Sequence, residues 1–127
     1  MVVHLTSLIT KRDDISIDEI NQYWSEKHSQ TFLSNPKAKK HLLRYSQVHL
    51  DTSFNSALQK GTASQPARYD GVAQFWAETK EDLMAVFESD YYKDVVVKDE
   101  GRFIKEKAFE MYVGDVQDCW VKPNAGG

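Results

Sequence analysis

Residues 16–28, which read SIDEINQYWSEKH, carry the clearest structural signal in the chain. Ser16 and Glu19 have the spacing of a capping box, in which the two side chains close the first turn of a helix. Asp18 and Glu19 also suit the positive end of the helix dipole. The segment therefore predicts a helix that runs from Ile17 to about Ser29.

One face of this predicted helix is apolar except for a histidine. Ile20, Trp24 and His28 recur every four residues, and residues with that spacing lie on the same side of a helix. This face should pack on the rest of the protein. The pattern thus predicts that His28 is buried against a sheet, where its imidazole needs a hydrogen-bond partner.

Outside this helix the chain carries strand patterns and one further helix. Thr79 caps the second helix, which has an apolar side. Four runs rich in β-branched and aromatic residues predict strands. They are Val2–Thr10, Leu43–Asp51, Gly71–Glu78 and Phe109–Cys119. The order β-α-β-β-α-β is that of a ferredoxin-like α+β fold, a four-stranded antiparallel sheet with helices on one face.

The length of 127 residues fits a single domain. We place this domain at residues 1–119 and a C-terminal tail at residues 120–127. The polar stretch Thr52–Arg68 contains Gly61 and Pro66. It predicts a long loop, and loops of that length are often lids or mobile segments.

The predicted strands carry apolar and aromatic residues on both faces. In the second strand, Tyr45, Gln47 and His49 share one face, while Val48 and Leu50 share the other. A sheet with one wet face alternates more cleanly between apolar and polar residues, so the face without helices needs a cover. Because most soluble oligomers are symmetric, a second copy of the sheet is the simplest cover, and we expect a homodimer.

Composition argues against several classes of function. The formal net charge of −3 is unlike that of a nucleic-acid binder, which needs a basic face. No apolar run approaches the roughly 18 residues of a membrane span, and the N-terminus lacks a signal-peptide pattern, so we expect a cytoplasmic protein without a membrane partner. The single cysteine, Cys119, has no evident base, and the four histidines lack metal-ligand spacing. We therefore expect no metal.

Three segments resemble the EthD family. They are YWSEKH at residues 23–28, YDGVAQFW at residues 69–76 and DEGRFI at residues 99–104. Their order and spacing extend the resemblance over nearly the whole chain. Within the family, the sequence is similar to the fungal branch, which resembles small decarboxylases of aromatic polyketide acids such as atrochrysone carboxylic acid. The resemblance implies a dimeric α+β barrel with no cofactor.

The candidate site residues each allow two interpretations. His28 is either a structural histidine bonded to a backbone carbonyl or a general acid or base, since imidazole titrates near neutral pH. The row Tyr45, Gln47 and His49 either orients a phenol or carboxylate of a substrate, or contacts solvent or a partner subunit. His4, in the first strand, is a further candidate for substrate contact.

Two acidic residues and an aromatic set complete the candidates. Asp99 and Glu100 are able to orient an imidazole, but we expect one of them to cap a turn or pair with Arg102. Asp99 remains a candidate for the substrate site. Other side chains are expected to line the space between helices and sheet, either as core or as a platform for a flat ligand. They are Trp24, Phe32, Trp76, Phe87, Phe103 and Met111.

A site built from imidazole, phenol and amide groups transfers protons. A β-keto acid, or an aryl acid that tautomerises to one, carries its own electron sink. Loss of CO₂ then needs orientation of the carboxylate, stabilisation of the enolate and protonation of carbon. The resemblance implies an aromatic polyketide acid as substrate, and with this chemistry we expect a lyase that decarboxylates such a hydrophobic acid, with His28 as acid or base and His49 and Tyr45 as orienting or donor groups. A polyketide cyclase or dehydratase, a cofactor-free anthrone oxygenase and a ligand-binding accessory protein are alternatives.

Overall fold

The computed structural model describes residues 1–62 and 69–124, without the side chains of residues 52 and 106–109. Its strands are β1 Val3–Lys11, β2 Leu42–His49, β3 Gly71–Ala77 and β4 Ile104–Asp115. Its α-helices are α1 Ile17–Tyr23, α2 Ser29–Leu33, α3 Pro36–His41, α4 Thr52–Thr62, α5 Lys80–Phe87 and α6 Val97–Glu100. Two π-helical turns are present, the first π-turn at Trp24–His28 and the second π-turn at Tyr92–Val96.

The four strands form one antiparallel sheet in the order β2-β3-β1-β4. This is the ferredoxin-like α+β fold, as predicted. The helices cover one side of the sheet, here called the helix face, where Leu5 of β1 and Phe75 of β3 lie opposite each other and are buried. The other side is here called the open face. None of the helices in the described part of the chain is long and apolar enough to cross a membrane.

The first helix begins as its sequence predicts. Ser16 Oγ accepts the N–H of Glu19 at 3.1 Å, and Glu19 Oε1 accepts the N–H of Ser16 at 3.2 Å. Ile20, Trp24 and His28 are all buried, which confirms the predicted inward face. Helical structure continues beyond the predicted end, because the first π-turn leads directly into α2.

The predicted loop Thr52–Arg68 is wrong over residues 52–62, which form α4. Asp51 Oδ1 accepts the N–H of Phe54 at 2.9 Å and so closes the first turn of this helix. The polar composition of the segment concealed this cap. Residues 63–68 of the predicted loop lie outside the described residues.

The last strand was predicted at Phe109–Cys119, but β4 runs from Ile104 to Asp115. Extra residues in β4 shift the register between the pairs Ile9–Phe109 and Lys11–Ile104, so that the strand reaches back to Ile104. The charged residues that follow Ile104 therefore take part in the sheet, although their composition did not indicate a strand.

Trp76 and His4 lie on the open face, so the prediction that Trp76 lines the space under the helices is wrong. These two residues are paired across β3 and β1. Successive side chains of a strand point to opposite faces of a sheet. Because Phe75 faces the helices, Trp76 must face away from them.

A close contact between Trp24 and Gly71 holds the first π-turn onto β3. A Cβ atom at position 71 would lie 2.5 Å from Cζ3 and 2.8 Å from Cη2 of Trp24. The Trp24 side chain is 1 % exposed, so its rigid indole has little room to move aside. Only glycine fits at this position without displacing the ring.

We expect Gly71→Ala to lower the free energy of unfolding by roughly 1–3 kcal/mol, because the added methyl group overpacks the core. Gly101→Ala is the control outside the sheet, since a Cβ there makes only an ordinary contact, 3.4 Å from the backbone oxygen of Lys98. Its effect should stay within about 0.5 kcal/mol. Urea unfolding followed by tryptophan fluorescence measures both, and equal stability of the two variants would contradict the prediction.

Candidate active site

A buried imidazole–carboxylate pair joins two helical segments. His28 ends the first π-turn and is 5 % exposed, and its Nδ1 lies 2.7 Å from Oδ2 of Asp99 in α6. A carboxylate only accepts hydrogen bonds, so Nδ1 carries a proton and donates it to Asp99. The other ring nitrogen, Nε2, is then the atom with a free lone pair.

Burial determines the charge of this imidazole. Desolvation lowers the pKa of His28 below its ordinary value, and the carboxylate of Asp99 opposes the change. His28 is therefore neutral at neutral pH, and its Nε2 is able to accept a proton. Asp99 would stabilise the imidazolium that forms.

Asp99 also contacts two residues nearer the surface. Its Oδ1 accepts a hydrogen bond from the hydroxyl of Tyr23 and lies 3.7 Å from Nε of Arg102. The expected pairing of Asp99 with Arg102 is thus present. We expected this pairing instead of a contact with an imidazole, and that expectation is wrong, because Asp99 makes both contacts. Arg102 is exposed and Asp99 is 9 % exposed. The folded chain turns the carboxylate inward to His28, which lies 71 residues away in sequence.

A small cavity lies between the helices and the helix face of the sheet. Its volume is about 20 Å³, which is room for about one water molecule. Ser7, 2 % exposed, also lines it, and its Oγ has no hydrogen-bond partner among the described residues. The lining includes seven of the residues that the sequence analysis kept as candidates for the site. They are Trp24, His28, Phe32, Tyr45, Phe87, Phe103 and Met111.

Glu100 lines the same cavity, although the sequence analysis kept only Asp99 of this acidic pair as a candidate for the substrate site. Tyr92, which begins the second π-turn, donates its hydroxyl to the two carboxyl oxygens of Glu100 at 3.3 and 3.5 Å. Burial raises the pKa of Glu100 to about 7; the hydrogen bond from Tyr92 opposes this, and the nearby charge of Asp99 adds to it. No sequence pattern marks Glu100, because only tertiary packing decides which residues of a short helix turn inward.

The row Tyr45, Gln47 and His49 lies on the helix face. Gln47 Nε2 donates to the backbone oxygen of Trp24 and to the hydroxyl of Tyr45, both at 2.8 Å. Tyr45 lines the cavity, and burial raises its pKa to about 12. His49 is exposed and rests on the ring of Trp24, with a centroid distance of 4.7 Å. The predicted catalytic role of His49 required it to line the cavity. The structure does not place it there.

His4 belongs to a second polar cluster, on the open face. Its Nε2 lies 3.0 Å from Oε1 of Gln74, and its Nδ1 lies 3.2 Å from Oγ1 of Thr6. Its ring is 4.7 Å from that of Trp76, over which the guanidinium of Arg44 stacks at 4.9 Å. The sheet separates this cluster from His28, so neither His4 nor Trp76 contacts a ligand in the cavity.

Both π-turns border the cavity: the first ends on His28 and the second begins on Tyr92. Such turns are frequent at functional sites. The fold and these groups define a ferredoxin-like α+β protein with a buried imidazole–carboxylate site. Residues 12–107 match the EthD domain. The match covers most of the chain, so the protein belongs to the EthD family.

Solved structures share this fold at low sequence identity. An ethyl tert-butyl ether D (EthD) family protein from Bacillus halodurans is 15 % identical, with a TM-score of 0.64 over 92 % of this chain and 100 % of that one. An EthD-like protein from Ralstonia eutropha is 14 % identical, with a TM-score of 0.59 over 90 % of each chain. A dimeric ferredoxin-like protein of unknown function from Thermobifida fusca is 10 % identical, with a TM-score of 0.59 over 91 % and 92 %. None of the curated proteins matches the sequence.

The raised pKa of Glu100 predicts a pH-dependent loss of stability. The folded protein holds this proton up to about pH 7, whereas the unfolded chain releases it near the ordinary value of 4.5. The folded state therefore loses stability as the pH rises through this window. We compare the free energy of unfolding of Glu100→Gln with that of the wild type at pH 5 and at pH 8. The difference should shift in favour of the variant by roughly 2 kcal/mol between pH 5 and pH 8, because solvent screening reduces the full effect of the pKa shift.

Urea unfolding at the two pH values measures this difference. Glu88→Gln is the matched control, because Glu88 is exposed at the end of α5. His28 is present in all three proteins, so its titration cancels in the comparison. The same difference between wild type and Glu100→Gln at both pH values would show that the carboxyl titrates normally.

Proposed function

We propose that the protein is a lyase that removes CO₂ from an aromatic polyketide carboxylic acid by proton transfer. The observation that carries the proposal is the His28–Asp99 pair, because it presents a neutral, oriented imidazole to a cavity lined with aromatic rings. The resemblance to the fungal branch of the EthD family supports the choice of substrate. The reaction needs no electron acceptor from outside, since the keto form of the substrate accepts the electron pair of the broken bond.

His28 is the base in this proposal. Its Nε2 takes the proton of a phenol ortho to the carboxylate while the carbon that bears the carboxylate gains a proton, and the resulting keto tautomer loses CO₂. Asp99 stabilises the imidazolium by accepting from Nδ1–H. The same proton returns to the oxygen once the carbon–carbon bond has broken.

Tyr45 is the second polar group toward the substrate. Because burial raises its pKa to about 12, its hydroxyl stays protonated at neutral pH. Gln47 donates to the hydroxyl oxygen, which leaves the O–H free to donate to a substrate oxygen. This donor would stabilise the developing enolate.

The cavity must widen to accept a ring, because a volume of about 20 Å³ holds only about one water molecule. Met111 is the most exposed of the described residues that line it, at 38 %. An unbranched methionine side chain changes rotamer easily. We propose that the substrate enters beside Met111 and displaces it.

The proposed enzyme is a homodimer that pairs through its open face. This face exposes Val48 and Tyr112, at 39 % and 59 %, beside the Trp76 cluster. A symmetric partner would cover both. The protein from Thermobifida fusca, which has the same fold, is described as dimeric.

We expect light scattering at micromolar concentration to give twice the chain mass of 14.6 kDa. Tyr112→Asp should shift the protein toward the monomer, because it places a charge in the covered face. Met84→Asp is the control, since Met84 is 40 % exposed on α5, away from the sheet. A wild-type monomer would reject the dimer.

The reaction is tested with an ortho-hydroxyaryl polyketide acid and the purified protein. Released CO₂ supports the proposed lyase. Oxygen uptake without CO₂ would identify an oxygenase, and loss of water with the carboxylate retained would identify a dehydratase or cyclase. Binding without any turnover would identify an accessory protein, and each of these three results would reject the decarboxylase.

His28→Ala should lower turnover by roughly 10²–10⁴-fold, the usual contribution of a positioned acid or base. His41→Ala is the matched control, because His41 pairs with Asp82 on the surface and does not line the cavity. Circular dichroism and light scattering verify that both variants keep their fold and mass. Wild-type turnover in His28→Ala would remove His28 from the mechanism.

A further inference from the structure

The carboxyl group of Glu100 has no role in the mechanism above, although it lies in the same cavity as His28. Resting on the proposed function, we infer that Glu100 is the acid that protonates the ring carbon bearing the carboxylate. His28 and Glu100 would then divide the chemistry, one as base toward oxygen and the other as acid toward carbon.

The carboxyl group of Glu100 makes only weak contacts with the protein, so it is available to a substrate. Tyr92 donates to its two oxygens at 3.3 and 3.5 Å, which are long for hydrogen bonds between oxygens. No lysine, arginine or histidine lies within ion-pair distance of it among the described residues. A carboxyl group placed in a cavity without a cation costs stability, and such placements are concentrated at functional sites.

The other groups of the cavity are poor acids toward carbon. Neutral His28 donates its only proton to Asp99, so Nε2 must accept a proton before it is able to give one. Burial raises the pKa of Tyr45 to about 12 and raises that of Tyr92 as well. Glu100 is the described lining residue that holds a proton it can release near neutral pH, since burial raises its pKa to about 7.

The pKa values of His28 and Glu100 are shifted in the directions that the reaction needs. Desolvation lowers the pKa of His28 and raises that of Glu100, which leaves one neutral base and one neutral acid in the same pH range. Groups whose environments separate their pKa values in this way are typical acid–base partners. The titratable groups around Glu100 are Tyr92 from the second π-turn, Asp99 beside it in α6, and Tyr45 and His28 across the cavity.

The step balances in atoms and electrons. A ring electron pair takes the proton of Glu100 at the carbon that bears the carboxylate, while His28 removes the phenol proton and the C–O bond becomes a carbonyl. The bond to the carboxylate then breaks, and its electron pair restores the aromatic ring as CO₂ leaves. His28 returns its proton to the phenolate oxygen, and Glu100 regains a proton from solvent. The net reaction is aryl carboxylate plus one proton to arene plus CO₂.

The test compares the pH dependence of CO₂ release in wild type, Glu100→Gln and Glu88→Gln with the same ortho-hydroxyaryl acid. Wild-type activity should fall as the pH rises through about 7, because Glu100 loses the proton that it donates. Glu100→Gln keeps the shape of the protonated acid but cannot release a proton. Its turnover should fall roughly 10²–10⁴-fold, and the decline near pH 7 should disappear. Glu88→Gln should match the wild type.

Two further measurements separate a catalytic role from a structural one. Glu100→Asp should recover part of the activity together with a decline in basic solution, whereas a packing role would not be sensitive to the acidity of the side chain. A β-keto acid, which loses CO₂ before its carbon is protonated, should be affected less by Glu100→Gln than the aryl acid.

The outcomes also distinguish this inference from the proposed function. A wild type that releases no CO₂ from either acid would overturn both. Activity in the wild type with an unchanged rate and pH profile in folded Glu100→Gln would overturn only the role of Glu100. Equal loss of activity on the β-keto acid and the aryl acid would overturn the assignment of the proton to the ring carbon.

Discussion

The hydrogen bond between His28 and Asp99 is the contact on which the site depends. It joins the first π-turn to α6 beside the cavity and determines which nitrogen of the imidazole carries the proton. Removing one partner of a buried hydrogen bond costs about 1–3 kcal/mol, and more where the group left behind is charged, because that group then lacks a partner. The same contact therefore contributes to the packing of the helices and to the chemistry that the cavity can support.

The sheet holds this contact in place through Trp24, four residues before His28. The backbone oxygen of Trp24 accepts the N–H of Ser29, which is the π-helical hydrogen bond, and also the side-chain amide of Gln47 in β2. The indole of Trp24 lies against Gly71 in β3. Two strands thus fix the position of the first π-turn, and His28 has little freedom to leave the cavity.

Asp99 and Glu100 show how neighbouring residues of one type take different environments. Asp99 is satisfied by His28, Tyr23 and, more distantly, Arg102. Glu100 has only the long contacts from Tyr92, and burial raises its pKa to about 7. The difference arises from what each carboxyl group meets after folding, since their places in the chain are almost equivalent.

Local sequence patterns were enough to predict the start of the first helix and the inward face that ends at His28. A capping box and a four-residue repeat are local, so they act before any tertiary contact forms. The four strands and the two helices of the ferredoxin-like order were predicted from local patterns for the same reason. The helix α4 was not predicted, because its polar composition is typical of a loop and its cap at Asp51 was overlooked. The groups that meet His28 could not be predicted in this way, because they depend on how the chain packs. Asp99 and Glu100 approach His28 through packing between segments distant in sequence, and the pleat of β3 turns Trp76 away, because contacts of that kind leave no periodic pattern in the chain.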